Sequence, residues 1–167
     1  LNNFFQLLFQ THDMSKYELI VVDDHCSHHE TLEYLHYLSS KNRIDQLITL
    51  KDKAGFGRAN NAGIAHSTTE YLVLLNTDII LQGHEIDRLL ERMRTLGCQA
   101  IQPLLLYPQS GRIQSCGHIF GHLFNRHALE YSFPKCVPEQ YAIERQALTP
   151  AFCIIEKAAF METGCFD

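Results

Sequence analysis

Three short apolar runs, each stopped by polar residues and each leading into a segment of helical period, constrain this chain more than any other feature. They are Leu19-Ile20-Val21-Val22 ending at Asp23-Asp24, Leu47-Ile48-Thr49-Leu50, and Tyr71-Leu72-Val73-Leu74-Leu75 ending at Asn76-Thr77-Asp78. Unbroken runs of this length, rich in β-branched residues, suit strands covered on both faces. Ser27-His28-His29-Glu30 has the S-x-x-E form of a capping box, and Leu32, Leu35 and Leu38 continue it as the buried stripe of a helix. A glycine-broken loop, Lys53 to Arg58, leads into a second helix that runs to about His66. Ile86, Leu89, Leu90 and Met93 mark a third, with Gly97 placed to end it. Leu1, Phe4, Phe5 and Leu8 give the chain an amphipathic opening helix. Strand and helix in alternation predict an α/β fold with a mostly parallel sheet and right-handed crossovers.

Beyond Gly97 the rhythm changes. Ala100 to Tyr107 is apolar around Pro103, Pro108-Gln109-Ser110-Gly111 signals a turn, and Arg112 to Cys116 reads as the returning strand. His118 to Gln146 mixes aromatics with Pro134 and Pro138 and has no clean period. It reads as an irregular excursion of the kind that shapes substrate pockets. Order returns with a strand through Cys153-Ile154-Ile155, a short helix, and Gly164-Cys165-Phe166-Asp167.

Composition narrows the function. The 167 residues suit one domain, and 14 Lys+Arg against 19 Asp+Glu give a net charge of −5. That sign leaves no electrostatic footprint for nucleic acid. No apolar run approaches the ~18–20 residues of a bilayer span, and Leu1 to Phe9 lacks the basic flank of a signal peptide. The six cysteines, with no C-x-x-C among them, are expected to be reduced thiols of a cytosolic protein, Cys153 as a small buried apolar residue. His25, His28 and His29 lie near Cys26, and His118, His122 and His127 near Cys116. Neither group has a paired zinc spacing, so surface or helix-end imidazoles are the expected reading.

The strand ends carry the chemistry. In open α/β sheets ligands lie beyond the carboxyl ends of the strands, which places Asp23, Asp24 and Asp78 on one rim. Such carboxylates can bind a ribose or base edge, or hold Mn²⁺ or Mg²⁺ against substrate phosphates; they can equally cap loops and helix starts. In Gly55-Phe56-Gly57-Arg58-Ala59-Asn60-Asn61-Ala62-Gly63 the glycines permit close backbone approach, and Arg58 in the first helical turn can fork onto a diphosphate. The segment fails as a G-x-G-x-x-G dinucleotide fingerprint, because Asn60 stands at the third glycine and Lys51 to Ala54 separate the loop from the strand.

Taken together, these segments resemble the family 2 glycosyltransferases, inverting enzymes of the GT-A fold that take a sugar from a nucleoside diphosphate. Tyr17 to Asp24 resembles the family's second strand with its base-binding Asp, and Ala54 to Gly63 its N-x-G-F-x-x-A-N-N-x-G segment. Tyr71 to Asp78 is similar to the strand that delivers the metal-binding D-x-D, and Ala151 to Asp167 to the acceptor-side segment ending in G-G-F-D-E. The resemblance implies a GT-A-like, Rossmann-type sheet flanked by helices. Residues 1–97 would form the nucleotide-binding half and 98–167 the irregular acceptor-side half.

It also implies roles. Asp23, helped by Asp24, would face the base and ribose of a UDP- or dTDP-linked sugar. Gly55, Arg58, Asn61 and Asn76 would line the nucleotide-sugar site, with Arg58 near the diphosphate, and Asp78 would hold Mn²⁺ or Mg²⁺ there. Asp167 is the candidate for taking the proton of a saccharide or lipid-linked acceptor. Asn76 replaces the first Asp of D-x-D, Ala54 stands where relatives have Asn, and Cys165 replaces the second Gly of G-G-F-D. The family's first strand has no counterpart before Leu1, and its Glu after F-D and later E-D motif would lie beyond Asp167. The chain is therefore expected to be a fragment, with a gap of roughly 9–10 Å between the Leu19–Val22 and Tyr71–Leu75 strands. At family level a cytoplasmic protein of polysaccharide assembly is implied, brought to the inner face of a membrane by its acceptor. A non-catalytic domain of the same fold and a sugar-nucleotide pyrophosphorylase are the alternatives.

Overall fold

The computed structural model of the chain describes residues 1–121, 125–137 and 142–167, so His122 and Pro138 lie outside the described residues. The chain divides into two compact units that alternate along the sequence. The first holds Leu1–Leu72, Thr77–Glu85 and Ile155–Asp167; the second holds Val73–Asn76 and Ile86–Ile154.

In the first unit, helix α1 (Asn2–Thr11) buries Phe4, Phe5 and Leu8, the stripe its apolar spacing predicts. Phe5 meets Phe4 and Tyr34 edge-on and stacks on Phe9. Strand β1 (Ile20–Asp23) is followed by helix α2 (His29–Ser40) and strand β2 (Gln46–Thr49). β1 and β2 pair in parallel from Ile20↔Gln46 to Asp23↔Thr49, so α2 is the crossover that the strand–helix alternation requires. The capping box is not formed. The N-cap is His28, with no side-chain cap bond, because the Asp23 carboxylate takes the Cys26 amide at 2.9 Å and His25 turns left-handed (φ 59°). The helix therefore starts one residue late for Ser27 and Glu30 to cap each other.

Helix α3 (Phe56–His66) lies on β1, with Gly63 against Val22. Glu18 ties this layer together. It accepts from the Thr68 amide at 2.8 Å, the Thr68 hydroxyl at 3.1 Å and the Gln46 side-chain amide at 3.1 Å. The Thr68 amide is the main reason the Glu18 carboxyl stays below its usual range.

Strand β3 (Tyr71–Leu75) starts in the first unit and ends in the second. Helix α4 (Glu85–Leu96) follows, its entry fixed by Glu85, which accepts from the Gln82 and Gly83 amides at 2.8 Å. Its exit is the glycine cap expected at Gly97, with φ 63° and the Cys98 amide bonding Met93 O at 3.3 Å. Then come β4 (Ala100–Ile101), β5 (Leu105–Leu106), β6 (Ile113–Ser115), β7 (His118–Phe120) and β8 (Asn125–His127). β9 (Phe152–Glu156) and helix α5 (Lys157–Glu162) close the chain's regular structure. Cys153 is buried in β9, and that burial pushes its thiol up to about 12; all six thiols are free.

The expected single, mostly parallel sheet is not what the described strands form. They make four small sheets: β1-β2, β3-β9-β4, β5-β6 and β7-β8. β5-β6 and β7-β8 are antiparallel. So is β3-β9, since Asn76 N bonds Ala151 O at one end and Lys157 N bonds Glu70 O at the other, each at 2.8 Å. Apolar runs mark strands but not their partners or directions. After α4 the strands that are neighbours in sequence, β5 with β6 and β7 with β8, pair antiparallel. The excursion read as irregular contains the β7–β8 hairpin, registered His118↔His127 to Phe120↔Asn125. β1 and β3 lie in separate sheets.

In the second unit β7 and β8 each contribute a histidine to a polar cluster. Ser115 is fully buried, and its hydroxyl lies 2.5 Å from the Thr149 hydroxyl and 3.0 Å from His127 Nδ1. Thr149 reaches His118 Nε2 at 3.2 Å, and the two imidazole rings are 4.3 Å apart. Among the described residues, no helix is long and apolar enough to cross a membrane.

Candidate functional site

The first unit brings three chain segments to the carboxyl end of β1: the residues after the strand, the loop entering α3, and the end of the chain. Asp23, the last residue of β1, is only 6% exposed. One of its oxygens accepts from the Cys26 amide at 2.9 Å; the other, Oδ2, is buried with no hydrogen-bond partner among the described residues. A buried carboxylate oxygen left in that condition costs on the order of 1–3 kcal/mol or more, so a native fold keeps one where it serves a purpose.

Asp24 is engaged differently. Its two oxygens accept from the Ala54 amide at 2.5 Å and the Gly55 amide at 3.0 Å, which pins the loop to the strand end. The Ala54 bond is the main cause of its carboxyl lying below the usual carboxylate range. Gly55 is the N-cap of α3, and Arg58 sits in its first turn. The Arg58 Nε donates to Ala54 O at 2.9 Å, which fixes the exposed guanidinium beside the loop.

The end of the chain docks on the same turn. Asn61 donates to Phe166 O at 2.7 Å and accepts from Phe166 N at 3.1 Å, a two-bond clasp across the sequence. Phe166 meets Phe56 and Phe160 edge-on. Gly57 makes the approach feasible: a Cβ there would lie 2.9 Å from Asp167 O and 3.0 Å from Phe166 Cβ. Asp24, Gly55, Arg58, Asn61 and the Phe166–Asp167 end are thus linked through α3 and the loop before it, with Asp23 next to Asp24 in the chain.

Asp78 also belongs to the first unit and is exposed, while Asn76 belongs to the second and is half-buried. Among the described residues, no hydrogen bond ties Asp78 to the α3 turn. In the sequence Gly57 and Phe56 read as parts of a loop open to a ligand, not as the seat of Phe166 and Asp167. The glycine repeated two positions apart in Gly55-Phe56-Gly57 is the only signal that could have marked that seat. His28 and His29 stand at the start of α2, where His29 pairs with Glu33 at 3.4 Å.

Such an arrangement defines an α/β chain with a buried, half-partnered carboxylate at a strand end and a basic, glycine-opened helix start beside it. The chain belongs to glycosyl transferase family 2, whose model matches residues 2–148. It is also similar to the protein named "Uncharacterized protein y4gI" of Sinorhizobium fredii (strain NBRC 101917 / NGR234), 27% identical over 106 residues. That stretch is 63% of this chain and 12% of the relative, so the chain corresponds to a small part of the longer protein.

Family membership raises the question of a divalent metal. Among the described residues there is no cluster of three or more His, Cys, Asp or Glu able to hold one. The donor group at hand is the exposed Asp78 carboxylate, with its two oxygens. Those hard oxygens suit Mg²⁺ or Mn²⁺ bound jointly with substrate phosphates, for which one or two protein ligands suffice. They do not suit a metal held by protein alone.

Proposed function

We propose that this chain is the donor-binding part of an inverting, metal-assisted glycosyltransferase of the GT-A fold, using a UDP- or dTDP-linked sugar. The acceptor in this reading is a saccharide or lipid-linked saccharide. The observation that carries it is Asp23: a buried carboxylate oxygen, unpartnered among the described residues, at the carboxyl end of a parallel strand. A nucleobase N–H or a ribose hydroxyl donates what that oxygen lacks. The family match supplies the class of reaction.

Arg58 supplies a fixed positive charge beside the loop, suited to a diphosphate. Asp78 would hold Mn²⁺ or Mg²⁺ there. When bound, that ion offsets charge building on the departing diphosphate. In the reaction the acceptor hydroxyl oxygen bonds the anomeric carbon, and the bond from that carbon to the diphosphate breaks, its electron pair leaving with the nucleotide. The hydroxyl proton passes to a carboxylate, for which Asp167 is this chain's candidate. A single displacement inverts the anomeric centre. The protein is proposed to work in the cytoplasm, drawn to the inner face of a membrane by its acceptor.

Calorimetric titration of UDP and dTDP with and without Mn²⁺ tests the reading. Binding is expected to need the metal, and Asp78→Ala should abolish the metal dependence and weaken binding at least tenfold. If neither nucleotide binds with Mn²⁺ present, the donor reading fails and a non-catalytic domain of the family becomes the better account.

A further inference from the structure

The second unit carries an exposed aromatic surface that the donor site does not use. Tyr107 and Tyr131 stack with ring centroids 5.3 Å apart and planes 13° from parallel. Tyr131 is 60% exposed and the nearby Phe133 50%. Each tyrosine covers one face of the other, and the backbone holds Tyr131 at the surface. Leu129 and Tyr131 are left-handed (φ 55° and 62°), a conformation costing an L-residue about 1–2 kcal/mol.

The supports are specific. The Tyr131 amide bonds Ile113 O at 2.8 Å, and Arg112 Nη1 donates to Tyr131 O at 2.8 Å. The same guanidinium lies 4.5 Å above the Phe133 ring. The Tyr107 hydroxyl donates to Glu130 at 2.8 Å. Strain braced from several sides points to a use for the surface.

We propose that Tyr131, with Tyr107 and Phe133, is a platform for a saccharide ring, with Arg112 and Glu130 as its hydrogen-bonding rim. A pyranose has an apolar face of C–H groups that lies flat on an aromatic ring, and a border of hydroxyls that each donate and accept. The rim matches that border. Glu130 accepts only and stands at the hydroxyl end of Tyr107; Arg112 donates only and stands at the main-chain end of Tyr131. Lys135, 5.7 Å from the Phe133 ring centroid, adds a second donor to the rim beside Arg112, and Glu130 disfavours a phosphate on the Tyr107 side only. A folded protein partner fits less well. With ~150–250 Å² for a whole aromatic side chain, the exposed parts of Tyr131 and Phe133 amount to roughly 200 Å², against about 800 Å² per partner in a standard interface. The rings are already immobilised, so binding sacrifices little side-chain freedom. As a subsite for the acceptor chain, the platform's role rests on the glycosyltransferase reading; its affinity for saccharide does not.

Affinity electrophoresis through gels containing dextran, yeast mannan or galactan tests it. The unaltered protein is expected to be retarded by at least one of these polymers. Tyr131→Ala should lose the retardation while Tyr131→Phe, which keeps the ring, retains it. Phe133→Ala, outside the stacked pair, should weaken it and serves if Tyr131→Ala does not fold. No retardation by any of the three polymers overturns the proposal, as does equal retardation of the unaltered protein and both alanine variants. Sedimentation of the unaltered chain as an oligomer that Tyr131→Ala dissociates also overturns it, in favour of self-association. UDP binding is read separately: its failure beside intact retardation removes the donor reading and leaves the platform standing.

Discussion

Asp23→Ala is expected to weaken UDP or dTDP binding by about tenfold to a hundredfold, the loss that follows removal of one or two hydrogen bonds to a charged, buried acceptor. The folded state should respond in the opposite direction. Asp23 keeps one oxygen on the Cys26 amide and leaves Oδ2 buried and unpartnered among the described residues, a liability while no ligand is bound. Asp23→Asn retains an oxygen for the Cys26 amide and removes the buried charge. It should melt at or above the temperature of the unaltered protein and still lose most of its nucleotide affinity. Gain of stability with loss of binding at one residue is the signature of a group kept for its ligand. A variant that loses stability and keeps its affinity would make Asp23 a structural residue.

The largest expected effect on folding is at Gly117 in the second unit. Its φ is 82°, and a Cβ there would lie 2.8 Å from Arg145 Cβ and 3.2 Å from Ala147 O, closer still to Arg145 Cγ. Arg145 cannot simply swing aside, because its Nε donates to Cys116 O at 2.8 Å. Gly117 itself joins two strands, its carbonyl taking the Ala128 amide at 2.8 Å and its amide donating to Ser115 at 3.3 Å. Left-handed strain and overpacking together put Gly117→Ala at about 3 kcal/mol or more of destabilisation. That corresponds to a fall in melting temperature on the order of 10 °C for a chain of this size. Gly111→Ala is the control. Its φ is also positive, 63°, but its Cβ would meet open space. It should lose only the strain component, about a third to a half as much. Equal losses in the two variants would show that the Arg145 contact carries no weight.

Much of the chain up to Gly97 was legible because its signals are local. The apolar run Tyr71–Leu75 is β3 residue for residue, and the glycine-opened segment after Ala54 is α3. Gly97 ends α4 because a left-handed position there favours glycine. What failed depends on contacts that sequence spacing does not encode. The capping box of Ser27 and Glu30 was pre-empted by Asp23, whose carboxylate captured the Cys26 amide. The sheet broke into small pieces because β9 returns antiparallel beside β3, a pairing between segments some eighty residues apart.

The candidate site divides in the same way. Asp23 and Asp24 were read as neighbours with one task, yet one holds an unpartnered buried oxygen and the other is consumed by two loop amides. Asn61 was read as lining the nucleotide site, and its amide clasps the Phe166 backbone. Residue type gave the capacity for these bonds but not the partner. The aromatic platform lay in the segment read as irregular, where Tyr131 and Phe133 gave no period to follow.

The central claim is that Asp23, the loop before Arg58 and Asp78 act on one nucleotide diphosphate together with its metal. Paramagnetic broadening by Mn²⁺, followed in the amide NMR spectrum with UDP present, tests this most directly. The account predicts that residues 76–79, 54–58 and 24–26 broaden together, and that omitting UDP or introducing Asp78→Ala removes the effect. Broadening around Asp78 that leaves residues 54–58 and 24–26 sharp would contradict it.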